Sequence, residues 1–340
     1  MSSTTPRPRI DIITAAFNEE ETLLLYEQKV KESLFTHPEF EFKVLLVDDG
    51  SQDRTWKIMS EMCARDARFT ALRLSRNFGA HVAESAALAC VQGDAAVMLA
   101  ADLQDPPEVI LRFIEAWREG AKIVWGKRRT RDDALWRRLA SNFFSFIALR
   151  FALPPGSKMT SGGFMLLDRQ VVHCVRQYQE RNRRMVSLVA WTGFDQAVIE
   201  YDRKARIAGH PGWTFWKMIR SAYDILIGFS QLPARVMTLI GVTVFLVSVL
   251  LGVFIIFNWW FGHPLLGWSS MLLVMLSLFG LQFLMLGLVG EYLFRIYTES
   301  VQRPLYFISE TVGTTKSPTL PFDSPNIYDP AAKSGLPDRG

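Results

Sequence analysis

Two long apolar runs, residues 236–260 and 271–290, contain no charged side chain and are separated only by the short segment 261–270. Each reaches the roughly 20 residues that a helix needs to cross a bilayer. The segment between them has no Lys or Arg. Lys217, Arg220 and Arg235 precede the first run, and Arg295 and Arg303 follow the second. By the positive-inside rule this predicts a membrane hairpin whose loop faces outward, with the bulk of the chain and both termini in the cytoplasm. Trp259, Trp260 and Trp268 stand where an interfacial aromatic belt belongs. A pair of buried core helices is the alternative. The expected location is the inner (plasma) membrane, as a multi-pass protein in contact with the lipid bilayer.

Of the 340 residues 49% are hydrophobic, and they concentrate beyond about Leu232, so the first two-thirds reads as an ordinary soluble α/β domain. Strands are expected over 10–16, 42–47, 69–74, 95–99, 122–125, 164–167 and 197–201. Helices are expected from an Asn18 cap through Glu19, Glu20 and Glu21, and over 56–67, 80–90, 109–117, 132–151, 169–179 and 185–191. Strands alternating with helices imply an α/β fold with a doubly wound, mostly parallel sheet. No G-x-G-x-x-G follows the first strand, which disfavours a dinucleotide site. Cys63, Cys90 and Cys174 are odd in number and lie in apolar or helical contexts, as thiols of a reducing compartment do.

The expected divisions are a soluble domain over 1–210, a surface helix over 211–231, the hairpin over 232–292, a juxtamembrane segment over 293–311 and a disordered tail over 312–340. Trp213, Trp216, Ile219, Ile227 and Phe229 mix with Lys217, Arg220 and Asp224, which suits a helix lying in the membrane surface; a plain amphipathic core helix is the alternative. The tail is rich in Pro, Ser, Thr and Gly. Residues 1–9 are short, polar and proline-containing, unlike a signal peptide. Residues 291–306 read as a helix or arm that leaves a homo-oligomer open. The net charge of +4 is modest, and no nucleic-acid partner is expected.

Chemistry gathers where strands end. Residues 95–99 run straight into Ala100-Ala101-Asp102-Leu103-Gln104-Asp105-Pro106-Pro107-Glu108. Open α/β sheets bind ligands at the carboxyl ends of their strands. A carboxylate there holds a divalent cation against a phosphate, with Gln104 as a neutral oxygen donor; a capped turn with solvated acids is the bland alternative. Asn18-Glu19 and Asp48-Asp49 end two other strands and converge on the same edge. Arg128, Arg129 and Arg131 follow the fifth strand, and Arg137 and Ser141, four apart, share one helical face. Arginines opposite a metal-binding edge suit two phosphorylated substrates; a solvated or headgroup-binding helix face is the alternative.

The set Phe17-Asn18-Glu19-Glu20, Val47-Asp48-Asp49-Gly50-Ser51, Arg76-Asn77-Phe78-Gly79 and Asp102-Leu103-Gln104-Asp105-Pro106-Pro107-Glu108 resembles the family 2 glycosyltransferases. More narrowly it resembles their polyprenyl-phosphate branch of dolichyl-phosphate mannose synthases and bactoprenol glucosyltransferases. The resemblance covers about residues 10–303, hairpin included. It implies a GT-A fold, a nucleotide-sugar donor, a polyprenyl-phosphate acceptor such as undecaprenyl phosphate, and Mg2+ or Mn2+. Phe17, Glu19, Asp48, Asp49 and Gln104 would line the nucleotide-sugar site, and Asp102 and Gln104 would hold the metal. Arg128, Arg131, Arg137, Ser141 and Arg203 would grip the acceptor phosphate. Asp102, Asp105, Arg128 and Arg206 would carry catalysis, with Arg203 or Arg206 closing over the site. Two departures stand out: Ala100 replaces an acid, and Ser161-Gly162-Gly163-Phe164-Met165 lacks the acid and Arg found around that Phe. The implied activity is inverting transfer of a hexose, glucose from UDP-glucose by resemblance, at the cytoplasmic face. A processive polysaccharide synthase and an inactive glycosyltransferase-like scaffold are the rivals.

Overall fold

Alternate residues of each strand enter opposite core layers, as a period of two requires. Ile10, Ile12, Val44, Leu46, Ala71, Val97, Val124 and Leu166 belong to one buried cluster. Ile13, Leu45, Val47, Leu72, Ala96, Met98, Ile123, Trp125 and Met165 belong to the other. The strands are therefore apolar on both faces, the signature of a sheet covered by helices on each side. The computed structural model describes residues 7–129, 158, 162–178, 180–181, 183–203, 232–261 and 267–313. The described residues form two units, one holding the sheet and one holding the two long helices that follow Tyr201 and precede the last strand.

The sheet comprises β1 (Arg9–Ala16), β2 (Glu41–Asp48), β3 (Phe69–Leu74), β4 (Ala95–Met98), β5 (Ile123–Arg128), β6 (Met165–Asp168), β7 (Gln196–Tyr201) and β8 (Ile308–Val312). Their order is β7-β5-β6-β4-β1-β2-β3-β8. β1, β2, β3 and β4 are mutually parallel, and β5 pairs parallel with β7. β6 runs antiparallel between β4 and β5, and β8 antiparallel beside β3. The result is the mostly parallel α/β sheet expected.

Helices α1 (Leu23–Ser33), α2 (Thr55–Arg65) and α4 (Val109–Arg118) bury Tyr26, Met59 and Phe113 in the first cluster. On α4 the apolar stripe is Val109, Ile110, Phe113 and Ile114, spaced for one face. Helices α3 (Ala80–Cys90), α5 (Arg169–Gln177) and α6 (Met185–Trp191) cover the other face through Ala86, Val172 and Val189. All three cysteines are free thiols, and burial pushes those of Cys63 and Cys90 up to about 11.

Two local expectations change. Asn18 does not cap a helix: α1 starts only at Leu23, after Thr22, and the Asn18 carboxamide instead accepts the Gln52 N–H at 2.9 Å. Its side chain is committed to the neighbouring strand-end turn, and its φ of +55° takes the backbone out of helical space. β8 is an element the sequence reading lacked. It packs Val312 against the first cluster, while Leu305, Tyr306 and Ile308 at its start join the second. The helices expected over 132–151 and 211–231 lie outside the described residues.

The second unit contains α7 (Leu232–Trp260) and α8 (Trp268–Ser300). Val236–Phe254 and Leu278–Ser300 are long and apolar enough to cross a membrane, by length and composition. Leu239, Leu250, Phe257, Phe283 and Leu286 are exposed along them. α8 continues past the uncharged run, and there Arg295 pairs with Glu291 one turn earlier at 2.9 Å.

Candidate active site

Because β6 opposes both β4 and β5, the carboxyl ends of β1, β2, β3, β4, β5 and β7 all fall on one sheet edge. The residues singled out at strand ends are thereby collected on that edge.

At β1 and β2 two loops are laced together. The Asn18 N–H donates to Ser51 Oγ and the Glu19 N–H to Thr55 Oγ1, both at 2.9 Å. Ser51 in turn donates its N–H to Asp48 Oδ1 at 2.9 Å. Phe17 is exposed, and Glu19 is half-buried and accepts the Thr22 hydroxyl. Asp48 and Asp49, by contrast, are turned inward: 0% and 3% exposed. Both Asp49 oxygens are occupied, accepting the N–H groups of Phe78 and Gly79 at 2.8 Å. Burial raises the Asp49 pKa against the pull of those two donors. The two acids expected to face a nucleotide thus act first as anchors for the loops around it.

At the tip of β4, Leu103 is buried with φ +53°, so Asp102 and Gln104 on either side stay half-exposed. Asp102 Oδ1 accepts the Gln104 N–H at 3.2 Å. A buried branched residue in left-handed space is strain of the kind found at functional loops. The described residues contain no group of three or more His, Cys, Asp or Glu that would cage a metal. Asp102 and Gln104 offer one carboxylate and one amide oxygen, hard donors of the kind that suit Mg2+ or Mn2+.

At β5 and β7 the charge reverses. Arg128 and Tyr201 are register partners at the strand ends. Tyr201 donates its hydroxyl to Asp105 Oδ1 at 2.5 Å, and Arg203 Nε lies 3.8 Å from the same oxygen. Asp105 is 4% exposed. It reads as the anchor of this cluster rather than as a free base. Burial and the adjacent Arg128 guanidinium hold the Arg203 pKa below its ordinary value, and Asp105 and Asp102 partly offset them. Nε of both Arg128 and Arg203 is buried without a hydrogen-bond acceptor among the described residues. Gly162 leaves room beside Arg128: a Cβ there would approach its guanidinium no closer than 3.6 Å. Two crowded guanidinium groups make this end of the edge electropositive, the charge that suits an anionic group.

Arg131, Arg137, Ser141 and Arg206 lie outside the described residues. Sequence reasoning missed Tyr201, which sits in no motif; its place as the last residue of β7, on the edge that gathers the other strand ends, was the available signal.

Residues 11–176 match glycosyl transferase family 2. An uncharacterized glycosyltransferase of Synechocystis sp. is 36% identical over 309 residues, 89% of this chain and 96% of that protein. A bactoprenol glucosyl transferase of Shigella phage SfX is 36% identical over 302 residues, 88% of this chain and 98% of that protein. A prophage bactoprenol glucosyl transferase homolog of Escherichia coli K12 is 34% identical over 303 residues, again 88% and 98%.

Proposed function

This chain belongs to glycosyl transferase family 2 and is a glycosyltransferase, and from that premise we propose that it moves a hexose from a nucleotide sugar to a polyprenyl phosphate. Glucose from UDP-glucose is the donor we favour, by its likeness to relatives named bactoprenol glucosyl transferases. The observation that carries the reading is the junction at Asp105: next to Gln104 in the chain, it accepts the Tyr201 hydroxyl at 2.5 Å and stands 3.8 Å from Arg203 Nε, which brings the β4 tip beside the basic end of β5 and β7. One side suits a diphosphate with its cation, the other a phosphate monoester.

In this mechanism Phe17, Glu19 and the loops anchored by Asp48 and Asp49 receive the nucleotide. Asp102 and Gln104 would hold the cation, which when bound would supply positive charge to offset that of the donor diphosphate. Arg128 and Arg203, joined by Arg131, Arg137 and Ser141, hold the acceptor phosphate, with Arg206 closing over the site. An acceptor oxygen attacks the anomeric carbon from the face opposite the diphosphate. The new carbon–oxygen bond forms as the bond to the leaving diphosphate breaks, inverting the centre. A phosphate monoester is mostly ionised at neutral pH, its second pKa being about 6. The attacking oxygen therefore needs no strong base, and the protein's work is positioning and charge stabilisation. Asp105, held by Tyr201, keeps the arginines aimed.

The same reading puts α7 and α8 across the inner membrane with the sheet on the cytoplasmic face. β7 and β8 belong to one sheet, so the chain between Tyr201 and Ile308 crosses a bilayer an even number of times. Two candidate spans fit that parity.

The test is a panel of nucleotide sugars with undecaprenyl phosphate and added Mg2+ or Mn2+, followed by lipid extraction. A single labelled sugar on the lipid is the expected product. Polymer in place of that product supports a processive synthase, and nucleotide-sugar binding without transfer supports an inactive scaffold.

A further inference from the structure

The last described strand of the chain reaches back to the nucleotide end of the site through one guanidinium. Arg73, next to last in β3, has all three nitrogens engaged. Nη1 donates to Glu310 Oε1 of β8 at 2.9 Å, and Nη2 donates to the Ser51 carbonyl at 3.3 Å. Nε stands 3.2 Å from Asp48 Oδ2. That oxygen is fully buried and accepts no hydrogen bond among the described residues, so the Arg73 charge is what compensates it. The second Glu310 oxygen accepts the Trp56 indole N–H at 3.0 Å, tying α2 into the same knot. Asp48 then holds Ser51, and Ser51 holds Asn18 beside Phe17 and Glu19.

We propose that Glu310 is a positioning residue for donor binding: by fixing Arg73 it sets the two loops, 17–19 and 48–52, that receive the nucleotide. The inference rests on the reading of those loops as the nucleotide site. Its physical basis is a division of labour. Asp48 is too buried to move, and Arg73 is long and has many rotamers. A guanidinium held only by Asp48 and Ser51 retains freedom that a third, charged partner removes. Glu310 is itself 52% exposed, so replacing it opens no cavity in the core. Its effect falls on the geometry of Arg73 and the loops beyond.

The experiment uses the full chain in detergent or nanodiscs. UDP and GDP are titrated calorimetrically with Mg2+, and donor and acceptor KM are measured for wild type, Glu310→Ala, Glu310→Gln and Arg73→Lys. Arg73→Lys keeps a cation near Asp48 yet lacks the planar fork that also reaches Glu310. The expected result is a roughly fivefold loss of nucleotide affinity in Glu310→Ala, the scale of a partly screened charge network. The donor KM rises with it, the undecaprenyl phosphate KM and melting temperature stay unchanged, and Glu310→Gln lies between. In the Arg73→Lys background Glu310→Ala then adds nothing. Wild-type affinity in Glu310→Ala overturns the inference alone. Equal losses for donor and acceptor with a lowered melting temperature also overturn it, as mere destabilisation. Failure of the wild-type chain to bind either nucleotide overturns the nucleotide reading and the inference with it.

Discussion

Tyr201, the last residue of β7, donates its hydroxyl to Asp105 at 2.5 Å and so joins two strand ends 96 positions apart in the chain. Burial, with Asp105 alongside, raises the Tyr201 pKa, so the hydroxyl remains a donor throughout the neutral range. Tyr201→Phe removes that donor and leaves the buried Asp105 Oδ1 with, among the described residues, the more distant Arg203. The expected cost is about 1–3 kcal/mol of stability, from the general cost of an unsatisfied buried acceptor. Turnover with the lipid acceptor falls while nucleotide affinity holds. Thermal melts, calorimetry and acceptor kinetics on one preparation check all three.

Asp102→Asn keeps the size of the side chain and its oxygen toward the Gln104 N–H, while deleting the charge. The melting temperature is expected to stay within experimental error of wild type. Transfer is expected to drop by about 10²-fold or more, in line with removal of a group that stabilises charge at the reacting centre. Turnover near wild type would remove Asp102 from the metal-holding role.

Gly50 sits in the turn after β2 with φ +71°, and an added Cβ would lie 2.5 Å from the Arg76 carbonyl carbon. Neither the backbone conformation nor the neighbour gives way cheaply. Gly50→Ala is expected to cost about 2–4 kcal/mol by strain plus overlap, and to weaken nucleotide binding because Asp49 ties this turn to Phe78 and Gly79. A melt and a nucleotide titration measure the two effects separately.

Several paired carboxylates, Glu27 and Asp168 among them, contribute to the acid limb of stability, and Asp66 is the one held lowest among the described residues. Asp66 receives Arg68 through both oxygens, Nε to Oδ1 at 3.0 Å and Nη2 to Oδ2 at 2.7 Å. Hydrogen bonding from that guanidinium lowers its pKa from 3.8 to about 2. A folded-state pKa below the unfolded one means the stabilisation is complete above 3.8 and is lost as pH falls through about 2. Asp66→Asn should therefore melt lower than wild type at pH 6, and the two curves should converge near the bottom of that window. A constant offset at every pH would assign the loss to packing instead.

The sheet was legible because period-two burial and strand-end punctuation are local signals. β1, β4 and α6 fall within a residue or so of expectation, and the Asp102–Gln104 tip lies where open sheets expose their ligands. The inward turn of Asp48 and Asp49 was not legible. Two acids before Gly50 look alike whether they meet a ligand or hold a loop, and only the positions of Arg73, Phe78 and Gly79 decide it. Asn18 misled for a related reason, since a helix cap and a cross-loop clasp use the same carboxamide. β8 gave no warning at all. Ser309, Glu310 and Thr311 are polar and follow two long apolar helices, and what makes them a strand is the open side of β3.

That last strand has a consequence for synthesis. Ala71 pairs with Val312, so the outer flank of β3 stays bare until the ribosome has passed both long helices. Contacts so distant in sequence form late, and an unprotected edge invites pairing with other chains in the interval. A nascent chain arrested before residue 308 would thus carry both long helices beside a sheet with one sticky, unfinished edge, and that edge closes only once β8 arrives.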